Sequence, residues 1–298
     1  MRTSRVSLFY TMNTNMLRIA IQKSGRLYED SSALLREAGI RFGNSPHRLR
    51  TVADNFPLEI LFVRDDDIPE YVEGGVADIG IVGENLLLEK QKTVRTVERL
   101  GFGKCRLSIA LPRNEPYEGI KSLAGKKIAT SYQRILEQFL HENGVNAEVH
   151  EISGAVEITP SLGLADAVFD IVSTGSTLLA NGLREVQTVM HSEALLVATP
   201  QLPTAKQEML DRLLFRVHAW RNATQHRYIL LNAPNERLKE IIGILPGMKS
   251  PTLLPLAIPG WTSVHSVMPE TAFWDVLEQL KAAGAEGILV VPIERMIL

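Results

Sequence analysis

The chain has 298 residues, 45% of them hydrophobic and 22% charged, an ordinary globular balance and long enough for two or three domains. Its 32 Lys plus Arg against 34 Asp plus Glu leave a formal charge of −2, which argues against a nucleic-acid binder relying on an overall positive field. The single cysteine, Cys105, excludes an intrachain disulfide framework and an all-cysteine metal site, and the seven histidines lack paired ligand spacing. With no apolar run long enough to span a bilayer, the expectation is a cytoplasmic protein with neither membrane nor nucleic acid as partner.

Residues 1–15 are expected to form a disordered extension or an upstream start, with Met12 or Met16 as alternative beginnings. Leu17–Ile21 reads as a strand and Leu27–Ala38 as a helix; between them, Lys23-Ser-Gly-Arg26 offers two cations and helix amides to an anion, or is a solvated turn. The next strand, Leu58–Val63, delivers Arg64 to a carboxyl edge, where α/β proteins bind ligands. Asp65, Asp66 and Asp67 read as caps for a helix over Asp66–Glu73, since acids favour a helix N-terminus. Two glycine pairs, in Gly80-Ile-Val-Gly-Glu-Asn85 after the strand Asp78–Val82 and in Gly101-Phe-Gly-Lys-Cys-Arg106 before the strand Leu107–Leu111, permit close approach of a ligand or make tight turns.

Pro112-Arg-Asn-Glu-Pro116 is expected to mark the crossing into a second lobe, with a strand at Lys127–Thr130 and helices at Tyr132–Glu142 and Ile158–Leu164. The strand Ala167–Val172 then runs into Ser173-Thr-Gly-Ser-Thr177. There, backbone N–H groups and four hydroxyls can converge on a phosphate around Gly175, although a capped strand-to-helix turn has the same letters. Without a lysine it is not a Walker A loop. Glu157 and Asp170, two carboxylates beside this turn, suit the vicinal hydroxyls of a sugar phosphate, with Mg²⁺ softening their repulsion; a helix-start acid and a strand-edge acid is the plain alternative.

A strand at Ala194–Ala198, a boundary at Thr199–Thr204 and a helix at Lys206–Ala223 complete an alternation that implies α/β architecture with largely parallel sheets. Thereafter the order is strand Arg227–Asn232, helix Pro234–Ile242, strands Thr252–Leu256 and Ser263–Val267, helix Pro269–Ala282 and strand Gly287–Val291. This β-α-β-β-α-β pattern is ferredoxin-like. Neither a nucleophile elbow nor a Ser-His-Asp order is present, which weighs against a hydrolase.

Taken together, Gln22-Lys-Ser-Gly-Arg-Leu27, Val63-Arg-Asp-Asp-Asp-Ile-Pro69, Asp78-Ile-Gly-Ile-Val-Gly-Glu-Asn85, Lys127-Ile-Ala-Thr-Ser-Tyr132 and Asp170 to Leu183 closely resemble the long form of the ATP phosphoribosyltransferase family. The resemblance runs from about Met16 to the C-terminus. It implies a two-lobed, periplasmic-binding-protein-like catalytic part, with residues 16–107 and 186–224 as the first lobe and 108–185 as the second. A C-terminal ferredoxin-like regulatory domain is implied over 225–298. The implied activity is transfer of the phosphoribosyl group of phosphoribosyl pyrophosphate to N1 of ATP, the first step of histidine biosynthesis. The resemblance further implies Mg²⁺ bound with the substrate, inhibition by histidine, and a homo-oligomer between dimer and hexamer.

By the same resemblance, Ser173, Thr174, Gly175, Ser176 and Thr177 match the phosphoribosyl loop, with Glu157 and Asp170 placed as catalytic carboxylates for the ribose hydroxyls. Lys23, Gly25, Arg26 and Arg64 match positions near nucleotide and pyrophosphate, and Gly83 and Glu84 line the cleft. Asn232, Met248, Thr252 and Val267 match the regulatory site. Some members have Arg-Pro-Lys-Asp where this chain has Arg64-Asp-Asp-Asp67, so a lysine is missing at Asp66. The rival reading is a non-catalytic small-molecule sensor or solute-binding protein, which an export signal or a basic helix-turn-helix would favour; the sequence shows neither.

Overall fold

The computed structural model describes residues 16–43, 49–245 and 250–298. The expectation for residues 1–15 and the regulatory position Met248 therefore lie outside the described residues. Contacts divide the chain into two compact units, one of residues 1–33 and 40–209, the other of residues 34–39 and 210–298. Most of the last helix of the α/β region, residues 210–224, falls with the second unit, ahead of the C-terminal domain expected over 225–298.

In chain order the first unit contains β1 (Leu17–Gln22), α1 (Arg26–Glu37), β2 (Arg50–Val52), β3 (Leu58–Val63), α2 (Ile68–Glu73), β4 (Ile79–Gly83), α3 (Glu84–Lys90) and β5 (Arg95–Arg99). There follow β6 (Cys105–Pro112), β7 (Lys127–Thr130), α4 (Gln133–Glu142), β8 (Glu148–Glu151), β9 (Ala167–Val172), α5 (Ser176–Ala180), β10 (Leu183–Ser192) and β11 (Ala194–Ala198). α6 (Thr204–Thr224) spans the division between the units. One sheet has the order β2-β3-β1-β4-β11-β5 and the other β10-β6-β9-β7-β8.

The chain passes from the first sheet to the second between Arg99 and Cys105 and returns at Glu193. The expected lobe limits are corrected accordingly: residues 105–107 and 186–192 belong to strands of the second sheet, and Pro112–Pro116 closes β6 instead of marking a crossing. Both sheets are mixed, not largely parallel. β1, β3 and β4 run parallel while β2, β5 and β11 oppose their neighbours; β7, β8 and β9 run parallel while β6 pairs antiparallel with both β9 and β10.

Ala20 and Val82 pack with Leu195 and Val197 of β11 against Ile68 and Val72 of α2. Gly80 is what lets α2 lie so close: a Cβ there would stand 2.7 Å from Ile68 Cγ2 and 2.9 Å from Val72 Cγ2. In the second sheet Leu107, Ile109, Ile128 and Phe169 bury against Leu136 and Leu140 of α4, and the opposite face carries Ala110, Ala129 and Val168 with Leu178 of α5. The helix expected at Ile158–Leu164 is a 3-10 turn over Val156–Ile158 followed by turns; Pro160 and Gly163 interrupt any continuation.

The second unit adds β12 (His226–Pro234), α7 (Leu238–Ile244), β13 (Thr252–Pro255), β14 (Trp261–Pro269), α8 (Phe273–Ala282) and β15 (Glu286–Pro292) in a sheet of order β13-β14-β12-β15. All its pairings are antiparallel, as a ferredoxin-like module requires. Ile229, Leu231, Val264 and Met268 bury against Ile241, Val276 and Leu280 of the two helices. Pro234 and Pro269 end strands instead of opening helices, and each leads into a 3-10 turn before α7 or α8.

Next to the first return crossing, β6 and β10 are joined by a polar pair inside the second sheet. Arg106 Nε and Nη2 donate to Glu185 Oε1 and Oε2 at 2.6 and 2.5 Å, and Ser108 Oγ donates to the same carboxylate at 2.7 Å. These bonds, Arg106 foremost, hold the Glu185 carboxyl down at about 2 against the opposing effect of burial. A carboxyl that titrates lower when folded stabilises fully above its unfolded pKa of about 4.3, and that contribution is lost as pH falls through the folded value. Glu185→Gln is therefore expected to melt below the parent above about pH 5, with the gap closing as pH approaches about 2. A gap of the same size at every pH would show that the charge of the pair is not its source.

Candidate active site

Strand direction gathers the polar loops. β1, β3 and β4 deliver Lys23–Arg26, Arg64–Asp67 and Gly83–Asn85 to one carboxyl edge of the first sheet, and β7 and β9 deliver Ser131–Tyr132 and Ser173–Thr177 to one edge of the second. The two edges enclose a cleft of about 210 Å³ that is open to solvent on one side. Arg26, Gly83 and Ser173 line it, as do Gln22, Asp65 and Asn85 from the first lobe and Tyr132 and Ile171 from the second. Gly103, Lys104 and Cys105, from the first crossing segment, also line it, whereas Gly101, the other member of the second glycine pair, does not.

The Ser173–Thr177 turn has the geometry its letters suggest. Gly175 adopts φ +82°, ψ 0°, a left-handed conformation that side-chain-bearing residues rarely accept, and α5 starts at the next residue. Thr174 Oγ1 and Ser176 Oγ lie 3.0 Å apart, so the hydroxyls order one another. Two arginines hold the loop from outside: Arg26 Nη1 donates to Ser173 Oγ at 3.1 Å across the cleft, and Arg106 Nη1 donates to the Ser173 carbonyl at 3.1 Å. Because α5 has only five residues, its macrodipole is small, and direct N–H and O–H donors dominate any anion affinity.

Glu157 sits in the 3-10 turn reached through Gly154 and Ala155, and Ala155 itself is left-handed at φ +47°. A left-handed alanine costs about 1–2 kcal/mol, strain of the kind that is kept where a side chain must be aimed. Asp170, on β9, accepts from its neighbour's N–H (Ile171 N) at 2.7 Å. Burial foremost pushes its carboxyl above the usual range; the Ile171 bond opposes this, and the Glu157 charge adds a smaller push upward, so the two acids are electrostatically coupled.

A buried polar relay crosses the cleft beside them. Ser192 Oγ donates to Asn85 Oδ1 at 2.8 Å and accepts from Asn85 N at 3.0 Å, and Asn85 Nδ2 donates to the Tyr132 hydroxyl at 3.2 Å. Burial and the charge of Asp170 raise the Tyr132 phenol, which therefore stays protonated as an O–H donor on the cleft wall. Burial likewise raises the Cys105 thiol, against the opposing effects of Ser192 and Arg26. Asn85 and Tyr132 lie at the ends of two of the motifs, but an amide and a phenol at strand ends carry no chemical signal until the fold sets them against each other.

The remaining expected positions fall at the rim or are otherwise engaged. Lys23, Gly25 and Arg64 stand on the same carboxyl edge, exposed and outside the lined cleft. Glu84 does not line the cleft; its carboxylate takes both terminal nitrogens of Arg99, which also reaches Glu193 at 3.1 Å. Asp65–Asp67 form a 3-10 turn of their own, and Asp67 makes no side-chain capping bond to α2, so the capping expectation is corrected. Asp66 Oδ1 lies 3.8 Å from Lys90 Nζ, an exposed ion pair.

In the second unit, Asn232, Thr252 and Val267 share the sheet face turned away from the helices. Their neighbours Ile229, Leu231, Val264 and Met268 fill the core side, and register sets Asn232 opposite Ser263, Thr252 opposite His265 and Val267 opposite Tyr228. His265 links this face, with Nδ1 2.8 Å from Tyr228 Oη and Nε2 3.1 Å from Ser263 Oγ.

Comparison with known proteins accords with this geometry. A family model described as ATP phosphoribosyltransferase matches residues 64–219, and one described as HisG, C-terminal domain, matches residues 223–295. The chain is 55% identical over 283 residues to the ATP phosphoribosyltransferase of Phocaeicola vulgatus, covering 95% of this chain and 100% of that one. It is 56% identical over 283 residues to that of Parabacteroides distasonis, with the same coverage. Among solved structures, the ATP phosphoribosyl transferase (HisG:HisZ) complex from Thermotoga maritima superposes with a TM-score of 0.58 at 26% identity, over 68% of this chain and 99% of that one. A histidine kinase sensor domain similar to periplasmic binding proteins shares the fold alone, at TM-score 0.50 and 13% identity over 70% of this chain and 92% of that one. The chain belongs to the ATP phosphoribosyltransferase family, which joins ATP to phosphoribosyl pyrophosphate in the first step of histidine biosynthesis.

Proposed function

We propose that Ser173–Thr177 holds the 5-phosphate of phosphoribosyl pyrophosphate while Glu157 and Asp170 accept hydrogen bonds from its ribose hydroxyls. The observation that carries this reading is the left-handed Gly175 between the hydrogen-bonded hydroxyls of Thr174 and Ser176, on the same lobe as an electrostatically coupled acidic pair. Lys23, Gly25, Arg26 and Arg64, on the facing edge, hold ATP and the leaving pyrophosphate, and Gly83 and Glu84 shape the wall between them. Glu84 acts there through Arg99 rather than by touching substrate.

Adenine N1 brings its own lone pair, so the reaction needs no covalent nucleophile from the protein. N1 attacks the anomeric carbon as the carbon–oxygen bond to pyrophosphate breaks, and pyrophosphate leaves with the bonding pair. The protein's work is to set the two substrates in line across the cleft, exclude water between the lobes and stabilise charge on the leaving group.

Among the described residues no group of three metal-ligating side chains occurs. Glu157 and Asp170 nevertheless fit a cation brought in by the pyrophosphate, because burial and mutual repulsion are what raise Asp170 and a nearby positive charge offsets both. Mg²⁺, when bound with substrate, neutralises the leaving oxygens.

The C-terminal unit serves regulation by histidine, with Asn232, Thr252 and Val267 on the receiving face and Met248 in the same assignment, and the enzyme works as a cytoplasmic homo-oligomer between dimer and hexamer. Among the described residues no helix is long and apolar enough to cross a membrane.

Thr177→Ala is expected to raise the KM for phosphoribosyl pyrophosphate about tenfold, the worth of one charge-assisted hydrogen bond, with a smaller change for ATP. Gly175→Val should raise it further, since a β-branched residue does not accept φ +82°. Steady-state kinetics with each substrate varied in turn measure both, and an unchanged KM for phosphoribosyl pyrophosphate in both variants contradicts the assignment. Thr252→Val is expected to raise the histidine concentration for half-inhibition about tenfold at unchanged kcat; inhibition curves that overlay the parent's would remove Thr252 from the site.

A further inference from the structure

The N-terminus of α4 is capped by the other lobe. Helices usually find a partner for their second and third amides in the side chain of the N-cap residue. Here that residue is Tyr132, which makes no side-chain cap bond. The amides of Arg134 and Ile135 donate instead to Glu89 Oε1 at 3.0 Å and Oε2 at 3.1 Å, so one carboxylate of α3 in the first lobe satisfies two orphan donors of α4 in the second. A second bond lies alongside, from Arg134 Nη1 to Gln91 Oε1 at 3.2 Å. Gln91, the residue that caps the C-terminus of α3, is left-handed at φ +50°, one of two such non-glycine residues among those described, and the other is Ala155, two positions before Glu157. Strain at the end of α3 is thus kept where α3 meets α4.

We propose that Glu89 is a positioning residue, tying α3 to the start of α4 so that Tyr132 is held against Asn85 on the cleft wall at the lobe separation the reaction needs. Asn85 and Glu89 sit one turn apart on α3, and Tyr132 and Arg134 flank the first residue of α4, so the Asn85–Tyr132 bond and the Glu89 cap are two ends of one contact. Glu89 is outside the cleft lining and acts through Tyr132 rather than on substrate. The proposal rests on the cleft between the lobes being the site of phosphoribosyl transfer.

The test is a double-mutant cycle on the full-length enzyme with Glu89→Ala, Glu89→Gln, Tyr132→Phe and the Glu89→Ala/Tyr132→Phe pair. Glu89→Ala is expected to lower kcat/KM about tenfold, and Glu89→Gln, which keeps one acceptor, to lie between it and the parent. In the Tyr132→Phe background Glu89→Ala is expected to cost less than about twofold more, because the group through which it acts is already altered. Parent-like kinetics of Glu89→Ala, or losses that multiply in the double variant, overturn the proposal. If Glu89→Ala does not fold, Glu89→Gln with and without Tyr132→Phe decides by the same criterion. Failure of the underlying site assignment is seen separately, as an unchanged KM for phosphoribosyl pyrophosphate in both Thr177→Ala and Gly175→Val, variants outside the α3–α4 contact.

Discussion

Because β1, β3 and β4 run parallel in one sheet and β7, β8 and β9 run parallel in the other, the chemistry-bearing loops of each lobe leave at a single carboxyl edge, and the cleft forms where those edges meet. Reversing any one of these strands would carry its loop to the far side of the sheet. The buried apolar strands are therefore as much a part of the site as the Ser/Thr turn they end in: Phe169 and Val168 on opposite faces of β9 lock the register that brings Ser173 to the cleft.

Two crossings join the lobes, and polar contacts concentrate beside them. Arg99, the last residue of β5, takes Glu84 and Glu193 together, and these two acids raise its guanidinium further above its ordinary value. The two acids stand side by side, one at the start of α3 and the other at the return crossing, since the Glu84 amide donates to the Glu193 carbonyl at 3.0 Å. Being exposed, these pairs add little stability, and their value is in fixing geometry. Ser192, Asn85 and Tyr132 continue the same line into the interior, where an unsatisfied group would be costly and the Asn85 amide is bonded at both its oxygen and its nitrogen. The account thus places orientation, not acid–base chemistry, at the centre of the enzyme, as a reaction between a ready lone pair and a good leaving group demands.

Much of this was legible in the sequence because local rules held locally. The strand-to-turn letters of Ala167–Thr177 pointed to both the strand and the left-handed glycine, and the β-α-β-β-α-β order after residue 225 pointed to the C-terminal sheet. Letters failed where partners are distant. β10 is half-buried through most of its length without a period-two alternation, so local pattern did not mark it as the strand that pairs with β6. Glu84 reads as a cleft acid until Arg99 is found on it, and Glu89 reads as an ordinary helix acid until two amides 45 and 46 positions away are found on it. The 3-10 turns after Arg64, Pro234 and Pro269 displaced helix starts for one shared reason, a tight turn taking the chain off the sheet edge before the helix begins.

The central claim, that Ser173–Thr177 receives the sugar phosphate, is tested most directly by a crystal structure of the enzyme with phosphoribosyl pyrophosphate. The account predicts 5-phosphate oxygens within about 3 Å of the loop's amides and of the Thr177 hydroxyl, with the ribose hydroxyls turned toward Glu157 and Asp170. A 5-phosphate seated instead on Lys23–Arg26, with Ser173–Thr177 untouched, would contradict it.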